Sequence, residues 1–282
     1  MKNTKAIIFG LAFICIFNFL FSQENKFTKT YDLNYSLKKG TEFTLTNSSY
    51  FVEYKKVADD VKKFQQSNFD MMLIYKVIAS SEQGIEFQLE YNDRNRENFY
   101  KQEIQKTDWQ NLLGGKVKYF LSNKGEVSSF EDFDKLNTEL SDGGNESIDQ
   151  LKEEIIHLFP TLPENPVSIG DKWNTAFEGD ENYESFSIEY ILLDELTIEG
   201  INCLKIVANY STEQNSDVTF KEKTYHLESN STGHDIYYFA YEKGFLLSRY
   251  SIGNGVTDVY DSGNVLKQQR LNNVLYETNV KF

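Results

Sequence analysis

Cysteine, proline and histidine are all scarce here: 282 residues contain two, three and three of them. Cys15 lies in an apolar leader, so only Cys203 would remain after export and no intrachain disulfide could form. Exported eukaryotic domains of this size carry more cysteine, which turns the reading toward a bacterial envelope protein held together by its core. Cys203 sits in the strand-like run Ile201–Val207, the setting of a buried structural thiol rather than a nucleophile. Basic residues are outnumbered, 29 against 43 acidic, for a formal charge of -14. That balance leaves no positive footprint for nucleic acid and points to peripheral membrane contact or none.

The motifs of common chemistries are missing too. His226 and His234 flank Ser229–Gly233 with Asp235 adjacent, and a hairpin there would let them approach. No third strong ligand stands at fixed spacing, so neither a metal nor a cofactor is expected. Phosphate-cradling glycine loops, nucleophile elbows and dinucleotide fingerprints are absent. Carboxylate pairs such as Asp59-Asp60, Asp132 with Asp134 and Glu153-Glu154 read as solvated faces. No catalytic residue is assigned, and the expectation is a protein that is not an enzyme.

What is present begins with Lys2 and Lys5 ahead of the apolar run Ala6–Phe21, which ends at Ser22 before polar Gln23 and Glu24. This reads as a signal peptide over residues 1–22, whose apolar run of about 16 residues is shorter than the roughly 20 that span a bilayer. Ile14 before Cys15 is not the small residue a lipidation site needs. The expected location is periplasmic or secreted.

Aromatic residues make up 15% of the chain, a composition that favours strands. Apolar and alternating runs recur at about 41–54, 67–81, 85–93, 117–122, 184–198, 201–211, 217–228, 234–242, 245–252, 256–260 and 265–280. Glycine turns such as Lys39-Gly40, Gln83-Gly84, Glu199-Gly200 and Lys243-Gly244 separate many of them, the sign of an antiparallel meander. The charged run Lys55–Phe64 fits a solvated helical turn or a loop.

The middle of the chain changes period. Phe130, Phe133, Leu136 and Leu140 follow helical spacing behind Ser129 and Asp132, a candidate cap. Beyond Asp142–Asn145, Ser147 and Gln150 form a second capping pattern, and Ile148, Leu151, Ile155, Leu158 and Phe159 mark one helical face. Pro160 stops it. All three prolines lie in Phe159–Pro166, which reads as an extended crossing whose neighbours Phe159, Leu162, Val167, Ile169 and Trp173 are suited to burial.

The expected fold is α+β, mainly antiparallel β: a curved half-barrel sheet with two central amphipathic helices. One domain covers 23–282, with front strands at 27–128, a helical and proline-rich crossing at 129–166 and back strands at 167–282. If the helices cover the concave face, Leu136, Leu140, Leu151 and Ile155 face Phe239 and Phe245 across a ligand cavity.

Two stretches, Gly115–Val127 and Phe159–Trp173, carry the patterns Leu-Ser-x-x-Gly-x-Val and Leu-Pro-x-x-Pro-Val-x-x-Gly-Asp-x-Trp. They resemble a family of uncharacterised exported proteins of Bacteroidota, a family without an activity to transfer. The order of strands, central helices and further strands is similar to lipoprotein-carrier half-barrels, a likeness that implies a lipid or other hydrophobic ligand. The reading is therefore a noncatalytic envelope protein that binds a hydrophobic or amphipathic ligand. A structural or protein-interaction module is the alternative, and a hydrolase of envelope polymers ranks third for want of a catalytic constellation.

Overall fold

The computed structural model describes residues 29–282 except 58–59, 101–102, 140–146, 178–184, 221–222 and 264. The leader, Leu140 and the turn Asp142–Asn145 lie outside the described residues. Alternating and aromatic sequence here becomes unusually long strand. The front half supplies β1 (Thr30–Tyr31), β2 (Glu42–Val57), β3 (Asp60–Ser81), β4 (Gly84–Tyr100), β5 (Glu103–Asp108), β6 (Lys116–Ser122) and β7 (Val127–Glu131). The back half supplies β8 (Val167–Ser168), β9 (Lys172–Phe177), β10 (Ser185–Ile198), β11 (Ile201–Phe220), β12 (Lys223–Ala240), β13 (Phe245–Asp261) and β14 (Leu266–Lys281).

Twelve of these strands form one open antiparallel sheet in the order β7-β6-β4-β3-β2-β14-β13-β12-β11-β10-β9, with β5 on the end of β4. The last long strand closes onto the first long strand, so β14 with β2 joins the two halves of the chain through thirteen registered pairs. A separate pair, β1 with β8, pins the N-terminal segment to the back half.

Ring contacts establish how strongly the sheet bends. Phe87 on β4 and Phe245 on β13 stand four positions apart in the sheet order, which in a flat sheet would separate them by about 19 Å. Their ring centroids are 5.9 Å apart, and Phe43 of β2 lies between them at 5.9 and 4.9 Å. The sheet therefore curls around an aromatic core at one end of its strands. Tyr35, in the irregular segment before β2, fills the centre, edge-on to Phe159, Phe239 and Phe245.

The hairpins at this core end are tight. Glu199 and Gly200 both have positive φ, 49° and 81°, as a two-residue type I′ turn requires. At Gly244 a Cβ would stand 2.2 Å from Ser36 Oγ, so only glycine lets the N-terminal segment pass.

One of the two expected helices forms. Helix α1 (Ile148–Ile156) begins at Ser147, whose side chain and that of Gln150 complete a reciprocal capping box, and it buries Leu151 and Ile155. The first expected helix, at about 130–141, is overturned. Val127–Glu131 pairs with β6 as an edge strand, and among the described residues of this stretch a single 3-10 turn, Phe133–Lys135, follows. Ser129 and Asp132, the expected caps, have φ of 54° and 67°. A helix cap needs extended backbone, and the left-handed positions break the chain direction instead. Phe130 and Phe133 then pack edge to face at 5.3 Å.

Several expected breaks are continuous strand. The gaps at 212–216 and 253–255 and the loop Ser229–Gly233 all lie inside β11, β13 and β12. Of the run Lys55–Phe64, Lys55–Val57 end β2 and Asp60–Phe64 open β3, while 58–59 lie outside the described residues. Along the proline crossing, Phe159, Leu162 and Val167 are buried, whereas Ile169 is 48% exposed in a turn. Trp173 is half-buried, stacked on Tyr190 at 5.3 Å and donating its indole N–H to Thr161 O at 2.8 Å. Tyr35 donates to Pro160 O and the Leu162 amide to Lys124 O, so the crossing's polar backbone is bonded as it passes over the core.

Candidate functional site

Of the apolar residues first assigned to a ligand cavity, the five that are described meet in one cluster. Leu151, Ile155, Phe239 and Phe245 are fully or nearly fully buried within one core, and Leu136 packs partly buried against it. The surface of interest lies next to that cluster, where α1 sits on the concave face of the sheet.

Two arginines hold the helix there. Arg94 of β4 makes a bidentate pair with Glu154, at 2.6 and 2.9 Å, and its guanidinium lies 4.9 Å from the ring centroids of both Phe69 and Trp109. The Arg94 side chain has no exposed surface. Desolvating a charge so fully is tolerable only with a well-placed counter-ion and hydrogen bonds. From the back half, Arg249 of β13 donates to the carbonyl of His157 at 2.6 Å and to Asp235 at 2.7 Å. The last turn of α1 has no basic residue of its own, so Arg249 supplies the cation that the partly negative helix terminus favours.

Beyond α1 the strands continue outward, and their concave face changes character. The registered rows Asn47, Ser49, Phe51 of β2 and Met71, Phe69, Ser67 of β3 run on into Arg94, Arg96 and Asn98 of β4. On the other side of β2 they meet Thr278, Tyr276 and Val274 of β14, then Arg249, Ser251 and Gly253 of β13. Phe51, Phe69, Val274 and Tyr210 are half-buried, with Tyr276 38% exposed. The result is an amphipathic trough in which aromatic rings alternate with hydroxyls, amides and guanidinium groups.

Glycine shapes its floor. A Cβ on Gly233 would stand 2.2 Å from the Tyr210 ring, and one on Gly253 2.6 Å from its hydroxyl. Tyr210 therefore lies flat across two adjacent strands. Tyr237 donates to Asp235 Oδ2 at 2.7 Å. Burial is the first cause holding the Tyr210 and Tyr237 phenols above their ordinary value. Asp235 Oδ1 is buried without a hydrogen-bond partner among the described residues, and Ser251 Oγ, on its registered neighbour, is buried beside the Tyr210 hydroxyl.

The arginine cluster escaped sequence reasoning. The apolar pattern of β4 stops at Tyr91, and a strand ending near residue 93 excludes Arg94 and Arg96. Glu154 was read as solvated with Glu153, whereas it pairs with a buried arginine. The usable signal was two arginines, two residues apart, beside a strand in an acidic chain.

The histidines do not converge. His226 and His234 lie on the same strand, β12, with Asp235 on its opposite face in the ion pair with Arg249. His226 Nδ1 is 2.8 Å from Asp217, in an open pocket of about 510 Å³ formed with Thr224, Glu228, Tyr260, Asp261 and Ser262. Among the described residues no group of three or more His, Cys, Asp or Glu side chains could hold a metal ion. Cys203 is buried, and burial pushes its thiol up. Among the described residues no helix is long and apolar enough to cross a membrane.

No family model matches the chain, and no curated protein matches it. Among solved structures, one of lipovitellin concerned with lipid–protein interactions aligns with a TM-score of 0.55 at 8% identity, covering 87% of this chain and 25% of that one. The chain thus spans a quarter of the lipovitellin chain's length, and at this identity the likeness is one of fold. A candidate lipoprotein from Parabacteroides distasonis ATCC 8503 aligns over 85% of this chain and 98% of its own, at 14% identity and a TM-score of 0.22. The chain is therefore similar in fold to part of the lipovitellin chain.

Proposed function

We propose that this is a noncatalytic exported envelope protein that binds a hydrophobic or amphipathic ligand along the concave trough beyond α1. The observation that carries the reading is the continuation of the sheet past its packed core. There Phe51, Phe69, Tyr210, Val274 and Tyr276 remain half-buried or exposed among polar neighbours. A ligand-binding surface that combines apolar contact with a few placed polar groups has this composition. The fold likeness to a protein studied for its interactions with lipid is consistent with it.

Titration of delipidated protein with a fluorescent fatty acid should give saturable binding, lowered when Phe69 or Tyr276 is replaced by Ala. Absence of saturable binding for fatty acids, phospholipids and hydrophobic peptides alike would end this reading.

A second reading rests on the convex face. Tyr50, Leu275 and Ile252 form a registered row across β2, β14 and β13, and all three are exposed, with Tyr250 and Val256 nearby. A contiguous exposed apolar patch suits a protein-interaction module. Failure of ligand binding, together with self-association abolished by Ile252→Asp, would favour it.

A further inference from the structure

Arg94 and Arg96 share one aromatic setting but not one counter-ion. The Arg96 guanidinium lies 5.7 Å from the Phe69 ring centroid and 5.5 Å from that of Trp109, the same two rings that flank Arg94. Glu154 is engaged bidentately by Arg94. Among the described residues Arg96 has no carboxylate partner and no hydrogen bond. Among the described residues, then, two guanidinium groups share one partly desolvated aromatic setting and only one of them is ion-paired there, and an unbalanced charge in such a setting is costly.

A second observation points the same way. The indole N–H of Trp109 is buried, with the residue 1% exposed, and it has no acceptor. Indole nitrogen can only donate. Among the described residues, then, the edge of the concave trough carries a guanidinium without an ion-pair partner and an indole donor without an acceptor, on neighbouring side chains. Both are complementary to an anionic oxygen, and Arg can take a carboxylate or phosphate through two parallel bonds. The whole chain is strongly acidic, so its general field does not attract anions, and the preference has to come from this local arrangement.

We propose that Arg96, assisted by Trp109, receives the anionic head of an amphipathic ligand, a carboxylate or a phosphate, while the ligand's apolar part lies over Phe69, Phe51 and Tyr276. This rests on the ligand-binding reading of the trough and specifies the head group it selects.

The test compares three probes of equal chain length: a fatty acid, its neutral alcohol and the corresponding alkyl phosphate. Wild-type protein should bind one or both anionic probes at least about tenfold more tightly than the alcohol, a preference that weakens as salt is raised. Arg96→Gln should reduce the ratio to less than about threefold, Arg96→Lys should retain part of it, and Lys118→Gln, at an exposed ion pair with Glu131, should leave it intact. Which anionic probe dominates decides between carboxylate and phosphate.

In a Trp173→Phe background, where Trp109 is the remaining tryptophan, anionic probes should shift the indole emission more than the alcohol does. Equal, salt-independent binding of all probes to wild-type protein would overturn the head-group assignment while leaving the trough reading in place. A full preference retained by folded Arg96→Gln would overturn it as well. If no probe binds at all, the trough reading itself fails.

Discussion

Strand β13 passes through two different environments. It starts at Phe245 and Leu246, which have no exposed surface, and fifteen residues later it is half-buried on both faces. At the core end its side chains interlock with rings from β2, β4 and the proline crossing. Farther out it is held by the hydrogen-bond ladder to β12 and β14 and by cross-strand pairs. Identical secondary structure therefore rests on different physics: burial of large apolar areas at one end, individually weak cross-strand contacts at the other. The outer strands belong to the low-stability part of the molecule, and the polar trough lies where the two regimes meet.

The largest expected effect is at the core end. Phe245→Ala should cost about 3–5 kcal/mol, as for an emptied aromatic core site, measured by urea unfolding. A cost below about 1 kcal/mol would erase the distinction between the two ends.

At the boundary, Glu154→Gln takes the counter-ion from a buried guanidinium and should cost about 1–3 kcal/mol. Adding Arg94→Met should restore part of the loss, because removing both members of a buried pair is milder than removing one. If the double variant is weaker than the sum of the single ones, the pair is not what holds α1 in place.

The attachment of the N-terminal segment through β1 and Lys29 sharpens the comparison through pH. Glu195 accepts hydrogen bonds from Lys29, Tyr241 and Tyr31 at 2.6–2.8 Å. These donors, Lys29 first, hold its carboxyl down at about 2, below the ordinary 4.5. Because the folded value is depressed, the stabilisation is complete above about pH 4.5 and is lost as pH falls toward 2. The protection factor of the Tyr31 amide, corrected for the intrinsic exchange rate at each pH, should fall across that window while those of β13 near Phe245 are kept. A uniform fall in both would show that this attachment has no separate role.

The smallest effect is expected on the convex face of the outer strands, where Ile252→Thr should stay within about 0.5 kcal/mol, since the side chain is already 54% exposed. A loss above 1 kcal/mol would mean that this face is covered in solution.

Much of the fold can be read in the sequence, for local reasons. Ser147 with Gln150 announces the start of α1, and Glu199-Gly200 and Lys243-Gly244 announce their turns, because capping and positive φ depend on residues within a few positions of each other. Ser129 and Asp132 misled by the same local logic: they are good cap residues, but pairing with β6 was the stronger claim on Val127–Glu131. Gly233, Gly253 and Gly255 suggested breaks, since nothing nearby in the chain shows that Tyr210 and neighbouring strands take up the space of the missing side chains. The candidate site was less legible still. Arg94 and Glu154 are sixty residues apart, and neither has a pattern of its own.

From the sequence alone come the antiparallel character, the acidic balance, the buried thiol at Cys203 and the capped helix that opens at Ser147, all set by composition or short-range spacing. Only the tertiary structure decided that β14 pairs with β2, that the sheet curls until Phe87 meets Phe245, and that Arg94, Arg96 and Trp109 gather on its concave face. Those contacts join residues distant along the chain. They depend on how much each strand twists and bends to bury its rings, a property of the whole sheet that no short window of residues contains.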